Sequence, residues 1–217
     1  MKQKKSEVIR NTIDGKLWNR LRNTDIRIRN DDQPLKMIYM GTKTHDGDFK
    51  VILPALERLG RDFPGEFSLD IVGVASGMDK YPWLNELHPK NGLYPLFTKW
   101  YNTLEPYDIG LSPLEDSEFN SNKSDIKCLD YMGIGVKPVV SDTVAYGNPE
   151  LDNFVRRVKN TKEQWYSVLR DELVNRKKYR KQANSKISSS YKYISEDRSS
   201  VKAGDHIRNR LKHYSVI

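Results

Sequence analysis

Short apolar runs alternate with amphipathic stretches along the middle of the chain. Four runs have the length and continuity of buried strands, at residues 37–40, 67–73, 107–112 and 137–141. Three helices are expected beside them, at residues 49–59, 96–104 and 122–134, and a short helix is expected at 83–87. This alternation predicts an α/β fold: a Rossmann-like three-layer α/β/α domain with a mainly parallel sheet, plus C-terminal helices.

The same pattern divides the chain into three parts. Residues 1–35 are polar and rich in turn residues, and we interpret them as a linker-like segment. Residues 36–160 contain the predicted strands and form the Rossmann-like domain. Residues 161–217 form basic helices that pack on this domain or extend from it, the first of them capped by Thr161.

Charge is unevenly distributed over the 217 residues. The net charge is +8, but the segment from Val155 to the end holds 17 Lys and Arg against 6 Asp and Glu. A basic tail of this kind can make peripheral contact with an anionic membrane surface, bind nucleic acid, or simply be a solvated helical surface. Nucleic acid is the least favoured partner, because only Tyr191 and Tyr193 are interleaved with the basic residues as stacking surfaces.

Cysteine and hydropathy place the chain in a broad class. Cys128 is the only cysteine, so no internal disulfide can form, and its position in a predicted helix favours a buried structural role over a nucleophile. No apolar run approaches the ~20 residues that a membrane-spanning helix needs. We therefore expect a cytoplasmic protein, with the basic tail as a route to the inner face of the membrane.

The turn after the first predicted strand is a candidate phosphate site. Gly41 allows close backbone approach, and Thr42 and Thr44 supply donors ahead of a helix that Asp46 or Asp48 could cap. An ordinary strand-to-helix turn has the same composition, so that alternative stays open. The four histidines lack the spacing of metal ligands, and no metal site is predicted.

The turn after the third predicted strand is the second candidate. Ser121 or Asn122 could cap the helix expected there, on which Lys123, Lys127 and Asp130 would lie within about 60° of one another. Two cations near a helix N-terminus suit a diphosphate, and a carboxylate farther along can accept hydrogen bonds from a ribose. A charged surface stripe without a ligand is the alternative.

Two segments of this region resemble the donor-site signature of family 4 retaining glycosyltransferases. They are residues 123–135 and the Pro-Val-Val-Ser-Asp sequence at 138–142, and similarity to the family extends over roughly residues 8–195. The resemblance implies the C-terminal half of a two-domain (GT-B) enzyme, which binds a nucleoside-diphosphate sugar as substrate and needs no cofactor. The residues expected to bind that substrate are Gly41, Thr42, Thr44, Asn120, Lys123, Ser124, Lys127 and Asp130.

This sequence differs from the family pattern at two positions of the donor-site signature. Asp130 stands where the family has the second glutamate of its paired motif, which binds ribose, and Asn122 stands at the position of the first. No catalytic residue is assigned. The N-terminal, acceptor-binding domain is expected to be missing, so this chain alone should not transfer sugar. The implied role is in bacterial surface polysaccharide or glycoconjugate synthesis; a degenerate, non-catalytic domain is the alternative.

Overall fold

The computed structural model describes residues 8–18, 20–21, 26–41, 46–73 and 80–213. Within these residues, six parallel strands form one sheet in the order β3-β2-β1-β4-β5-β6. The strands are Leu35–Met40 (β1), Phe67–Val72 (β2), Leu84–Leu87 (β3), Ile109–Ser112 (β4), Lys137–Ser141 (β5) and Arg156–Val158 (β6). The order reverses between β1 and β4, and in open α/β sheets ligands bind beyond the carboxyl ends of the strands at such a point.

Helices cover both faces of the sheet. They are Asp46–Asp62 (α1), Tyr94–Tyr101 (α2), Glu118–Ser121 (α3), Ile126–Gly133 (α4), Lys162–Val174 (α5), Arg176–Asp197 (α6) and Ser200–His213 (α7). None of these described helices combines the length and apolarity needed to cross a bilayer.

Alternate side chains of the strands enter two separate cores. Met37 and Tyr39 of β1 pack with α1 and α5, whereas Ile38 packs with α4 on the other face. This period of two is expected of a strand buried on both sides. The predicted Rossmann-like three-layer architecture is therefore confirmed, and Thr161 caps α5 as predicted, accepting a hydrogen bond from the Gln164 amide.

The segment predicted as a short helix at residues 83–87 is instead the edge strand β3. The Leu69 amide donates to the Trp83 carbonyl, and the Asn85 side chain donates to Asp70 on the neighbouring strand. Pairing with β2 outweighs local preference in this short segment. The three-residue strand β6 was not predicted, since so short a run carries no periodic signal.

The helix predicted at residues 122–134 is also wrong in extent, because the chain breaks there into α3 and α4. Ser117, rather than Ser121 or Asn122, caps α3, and α4 begins only at Ile126. Asp125 stands at the start of α4, but both its carboxylate oxygens bind the Arg198 guanidinium, at 2.7 and 2.9 Å. The Asp125 carboxylate is thus engaged by a residue distant in sequence and does not cap the first turn of α4.

The Asp125–Arg198 ion pair is buried, so removing one partner leaves an unpaired charge in the interior. We expect Arg198→Met to lower the free energy of unfolding by about 3–5 kcal/mol in urea denaturation. Lys202→Met is the control, because Lys202 and its partner Asp197 are 58% and 50% exposed. That exposed pair should contribute less than about 1 kcal/mol. Equal losses in the two variants would contradict the role given to Arg198.

Candidate functional site

The carboxyl ends of β1 and β4 are held together by one tyrosine of α4. The buried hydroxyl of Tyr131 donates to the Leu111 carbonyl at 2.7 Å and accepts from the Met40 amide at 3.0 Å. It therefore satisfies backbone groups of both strands at the point where the strand order reverses. This contact fixes the position of α4 relative to the site edge of the sheet.

Gly41 directly follows β1 at this edge and is buried. A β-carbon at this position would lie 2.9 Å from the Tyr39 hydroxyl, so a side chain here would displace the Tyr39 ring. Gly41 thus has a steric reason to be glycine in addition to the predicted close approach of a ligand. The other two residues predicted in this turn, Thr42 and Thr44, lie outside the described residues.

The Asp48 carboxylate connects the first turn of α1 to the loop after β4. One oxygen accepts from the Glu115 amide at 2.8 Å and from the Asn120 side chain at 3.1 Å. The other lies 3.6 Å from the Lys123 ammonium. The sequence suggested Asp48 only as a helix cap, since nothing local indicates that residues 67 to 75 positions later converge on it.

Asn120 and Ser124 make contacts within the fold. The Asn120 side-chain amide donates both to Asp48 and to the Glu115 carbonyl, so these donors support the loop. The Ser124 hydroxyl accepts from the Asn11 side chain at 2.7 Å, although Ser124 itself is exposed. Of the two, Ser124 presents its side chain at the surface of the site, whereas Asn120 is buried beneath it.

Lys123 does not share a helical stripe with Lys127 and Asp130, because it precedes the first residue of α4. The two lysines nevertheless converge. Both ammonium groups interact with the Asp48 carboxylate, which favours their charged forms. The charge of Lys123 also contributes to lowering the pKa of Lys127. The structure therefore brings together the two cations that the sequence placed in this turn, through the loop rather than through helical periodicity.

Lys127 is half-buried and Asp130 is buried, and each has a polar atom that is shielded from solvent. Among the described residues, the Lys127 ammonium nitrogen and one carboxylate oxygen of Asp130 have no hydrogen-bond partner. Burial lowers the pKa of Lys127 to about 8, and burial raises the pKa of Asp130 to about 7. Other described residues, among them Trp18 and Tyr101, also carry such atoms, but Lys127 and Asp130 carry theirs one turn apart on one helix beside the carboxyl end of β1. Their position makes this face of α4 a candidate site for a polar ligand.

A thiol and a bound metal ion are two further kinds of chemistry that a site of this type could use. Cys128 is buried, and burial raises the pKa of its thiol, which agrees with the structural role predicted for it. Among the described residues, no three His, Cys, Asp or Glu side chains group in a way that could hold a metal ion.

No family model and no curated protein matches this sequence. Solved structures do share its fold. One is WaaG, a glycosyltransferase involved in lipopolysaccharide biosynthesis. The alignment covers 84% of this chain and 46% of WaaG, at 14% identity and a TM-score of 0.55. The Anabaena protein Alr3699/HepE, solved in complex with UDP, matches 95% of this chain with 57% of its own, at 10% identity and a TM-score of 0.61.

A third structure is itself a single domain. The C-terminal domain of LpcC, a group 1 glycosyltransferase from Francisella tularensis, matches 87% of this chain with 99% of its own length, at 12% identity and a TM-score of 0.53. This chain has the fold of a GT-B glycosyltransferase domain. It spans about half the length of WaaG and HepE. On this fold, the Lys127–Asp130 face of α4 lies near the carboxyl end of β1.

The raised pKa of Asp130 makes stability depend on pH. Its ordinary value is 3.8 and its folded value about 7, so the folded state holds this proton more tightly than the unfolded chain. Stability is then lost as pH rises from about 4 to 7. Asp130→Asn removes that loss, and we expect it to be more stable than the parent by ~2–4 kcal/mol at pH 8.

Urea denaturation at pH 4.5, 6 and 8 measures this difference, which should shrink towards zero at the lowest pH. Asp116→Asn is the matched control, because Asp116 is exposed in the same loop region. A difference that is independent of pH would show that Asp130 is not the titrating group.

Proposed function

We propose that the carboxyl edge of the sheet binds the diphosphate and ribose of a nucleotide-sugar. The observation that carries this proposal is the pair of buried, unsatisfied polar atoms on α4, the Lys127 ammonium and the Asp130 carboxylate oxygen. One is an ammonium and the other belongs to a carboxyl group whose pKa is about 7. They lie one turn apart on the same helix, so they can serve two chemically different parts of one ligand.

The cationic part of the site suits a diphosphate. Lys127 lies beside Tyr39 at the end of β1, with its ammonium 5.6 Å from the ring centroid, and Lys123 lies across the same carboxylate, Asp48. The N-terminal end of α4 adds a positive dipole next to both lysines. Together these groups offer charge-assisted hydrogen bonds to phosphate oxygens.

Asp130 suits the sugar of the nucleoside. An ionised carboxylate accepts hydrogen bonds and donates none, so it can bind ribose hydroxyls but would repel a phosphate. It lies one helical turn beyond Lys127, away from the helix N-terminus. This order favours phosphates at the start of α4 and ribose farther along, as the family resemblance implies for Asp130.

The proposed role is donor binding in a retaining glycosyltransferase of bacterial surface polysaccharide or glycoconjugate synthesis. HepE, which shares the fold, was solved with UDP, and the pneumococcal O-GlcNAc transferase GtfA, also similar, with UDP and GlcNAc. Transfer across a cleft requires an acceptor held on the opposite side and stabilisation of the departing diphosphate. We therefore propose that these 217 residues bind donor but need an acceptor-binding domain to transfer sugar.

Nucleotide titration tests this function directly. We expect UDP or GDP to bind with a Kd in the micromolar-to-millimolar range, measured by calorimetry or NMR. Lys127→Met and Lys123→Ala should each weaken binding by ~1.5–3 kcal/mol, because each removes a charge-assisted hydrogen bond to phosphate. Lys178→Ala, an exposed lysine of α6, should leave affinity unchanged. Absence of any response at millimolar nucleotide would refute the proposal.

Proton uptake gives a second signature of Lys127. Its pKa is about 8, so at pH 9 the ammonium is mostly deprotonated, and a bound diphosphate should raise that pKa. Binding at pH 9 should then take up to about one proton per nucleotide, visible as different binding enthalpies in buffers of different ionisation enthalpy. Lys127→Met should abolish the uptake. Uptake that persists in this variant would assign the proton to another group.

A further inference from the structure

A second cavity lies at the opposite, amino edge of the sheet. It has a volume of about 320 Å³ and is bounded by the starts of β1, β5 and β6 and by α6. Helix α6 contributes residues at a spacing of three or four, which places them on one face: Arg176, Tyr179, Arg180, Ala183, Ile187 and Ser190. One side of the cavity is therefore formed by a single face of α6. The candidate nucleotide site lies at the opposite end of the strands.

The interior of this cavity is apolar. Leu35, Met132, Val136 and Phe154 contribute to its walls, and Ile187 closes it from the α6 side. A volume of this size falls at the lower end of the range for small-molecule sites, which runs from about 300 to 1,000 Å³. Such a lining favours a compact hydrocarbon or aromatic body.

The polar part of the lining is strongly basic, with seven Lys and Arg residues against three Asp and Glu. The three carboxylates are already neutralised. Glu172 accepts from Lys137 at 2.5 Å and from Arg156 at 2.8 Å, and Asp108 is held by Arg180 at 2.7 and 2.8 Å. Asp152 pairs with Arg157. Most of the cations are paired as well: Arg176 binds Glu66 at 2.7 Å and Arg29 lies 3.5 Å from Glu105. Lys186, exposed at the edge of the cavity, is in no ion pair among the described residues.

We propose that this cavity binds a small amphipathic anion. Its apolar body would pack against the interior, and its negatively charged oxygens would bind Lys186 of α6 at the exposed edge of the cavity. The proposal is independent of the nucleotide site, because the two sets of residues lie at opposite edges of the sheet.

The probe for this site is 8-anilinonaphthalene-1-sulfonate, an aromatic anion whose fluorescence rises in apolar surroundings. Ala183→Phe fills the cavity and should weaken probe binding at least tenfold. Ser185→Phe adds the same side chain on the exposed face of α6 and should have no effect. Lys186→Glu should weaken binding roughly three- to tenfold, whereas Lys181→Glu, exposed on the same helix outside the cavity, should not.

Competition defines the ligand class and separates this site from the other. Octyl phosphate should displace the probe, while inorganic phosphate, octanol and UDP should not. Displacement of the probe by inorganic phosphate, by octanol or by UDP would overturn the proposal. So would an equal loss of probe affinity in a cavity variant and its matched control. If Ala183→Phe does not fold, as judged by circular dichroism, the Lys186 and Lys181 variants decide the question.

Discussion

The bidentate ion pair between Asp125 and Arg198 is the contact on which the arrangement of the site depends. Arg198 also donates to the Asn11 carbonyl at 2.8 and 3.0 Å, so one guanidinium joins the amino-terminal segment, the start of α4 and the end of α6. Helix α4 carries Lys127 and Asp130 at the carboxyl edge and Met132 at the amino-edge cavity. The orientation of this short helix therefore sets the geometry of both.

Asp125, which precedes α4, and Asp130, within α4, are both buried, but among the described residues only Asp125 has a cation in an ion pair with its carboxylate. Asp125 is 8% exposed and is matched by a guanidinium that binds both its oxygens. Asp130 is equally buried, but one of its oxygens has no partner among the described residues, and its pKa rises to about 7. An apolar side chain at position 130 would stabilise the fold more than this carboxylate does. Keeping a carboxylate there is therefore better explained by a ligand than by folding, which is why Asp130 supports the functional proposal.

Sequence predicted what depends on local pattern, and missed what depends on distant contacts. Strand β5 and the cap of α5 follow from an apolar run and from Thr161, and the structure confirms both. At the break before α4, Asp125 binds Arg198, which lies 73 residues farther along the chain. The Asn120 amide meets Asp48 across 72 residues. Periodicity could place Lys127 and Asp130 on one face, but it could not show that they would be buried without partners.

The shared helix raises the question of whether ligands at the two edges would influence each other. Coupling needs an element with two discrete arrangements that both sites can bias. Helix α4 is fixed at its start by Arg198 and at its end by Arg20, which donates to the Ile134 carbonyl at 2.6 Å. Gly135 then turns the chain in a left-handed conformation, at a φ of 75°. Because this helix of about 12 Å is held at both ends, shifting it would break hydrogen bonds of Arg198 and Arg20. Occupancy of the basic cavity should therefore leave nucleotide affinity unchanged, and the two sites should act independently.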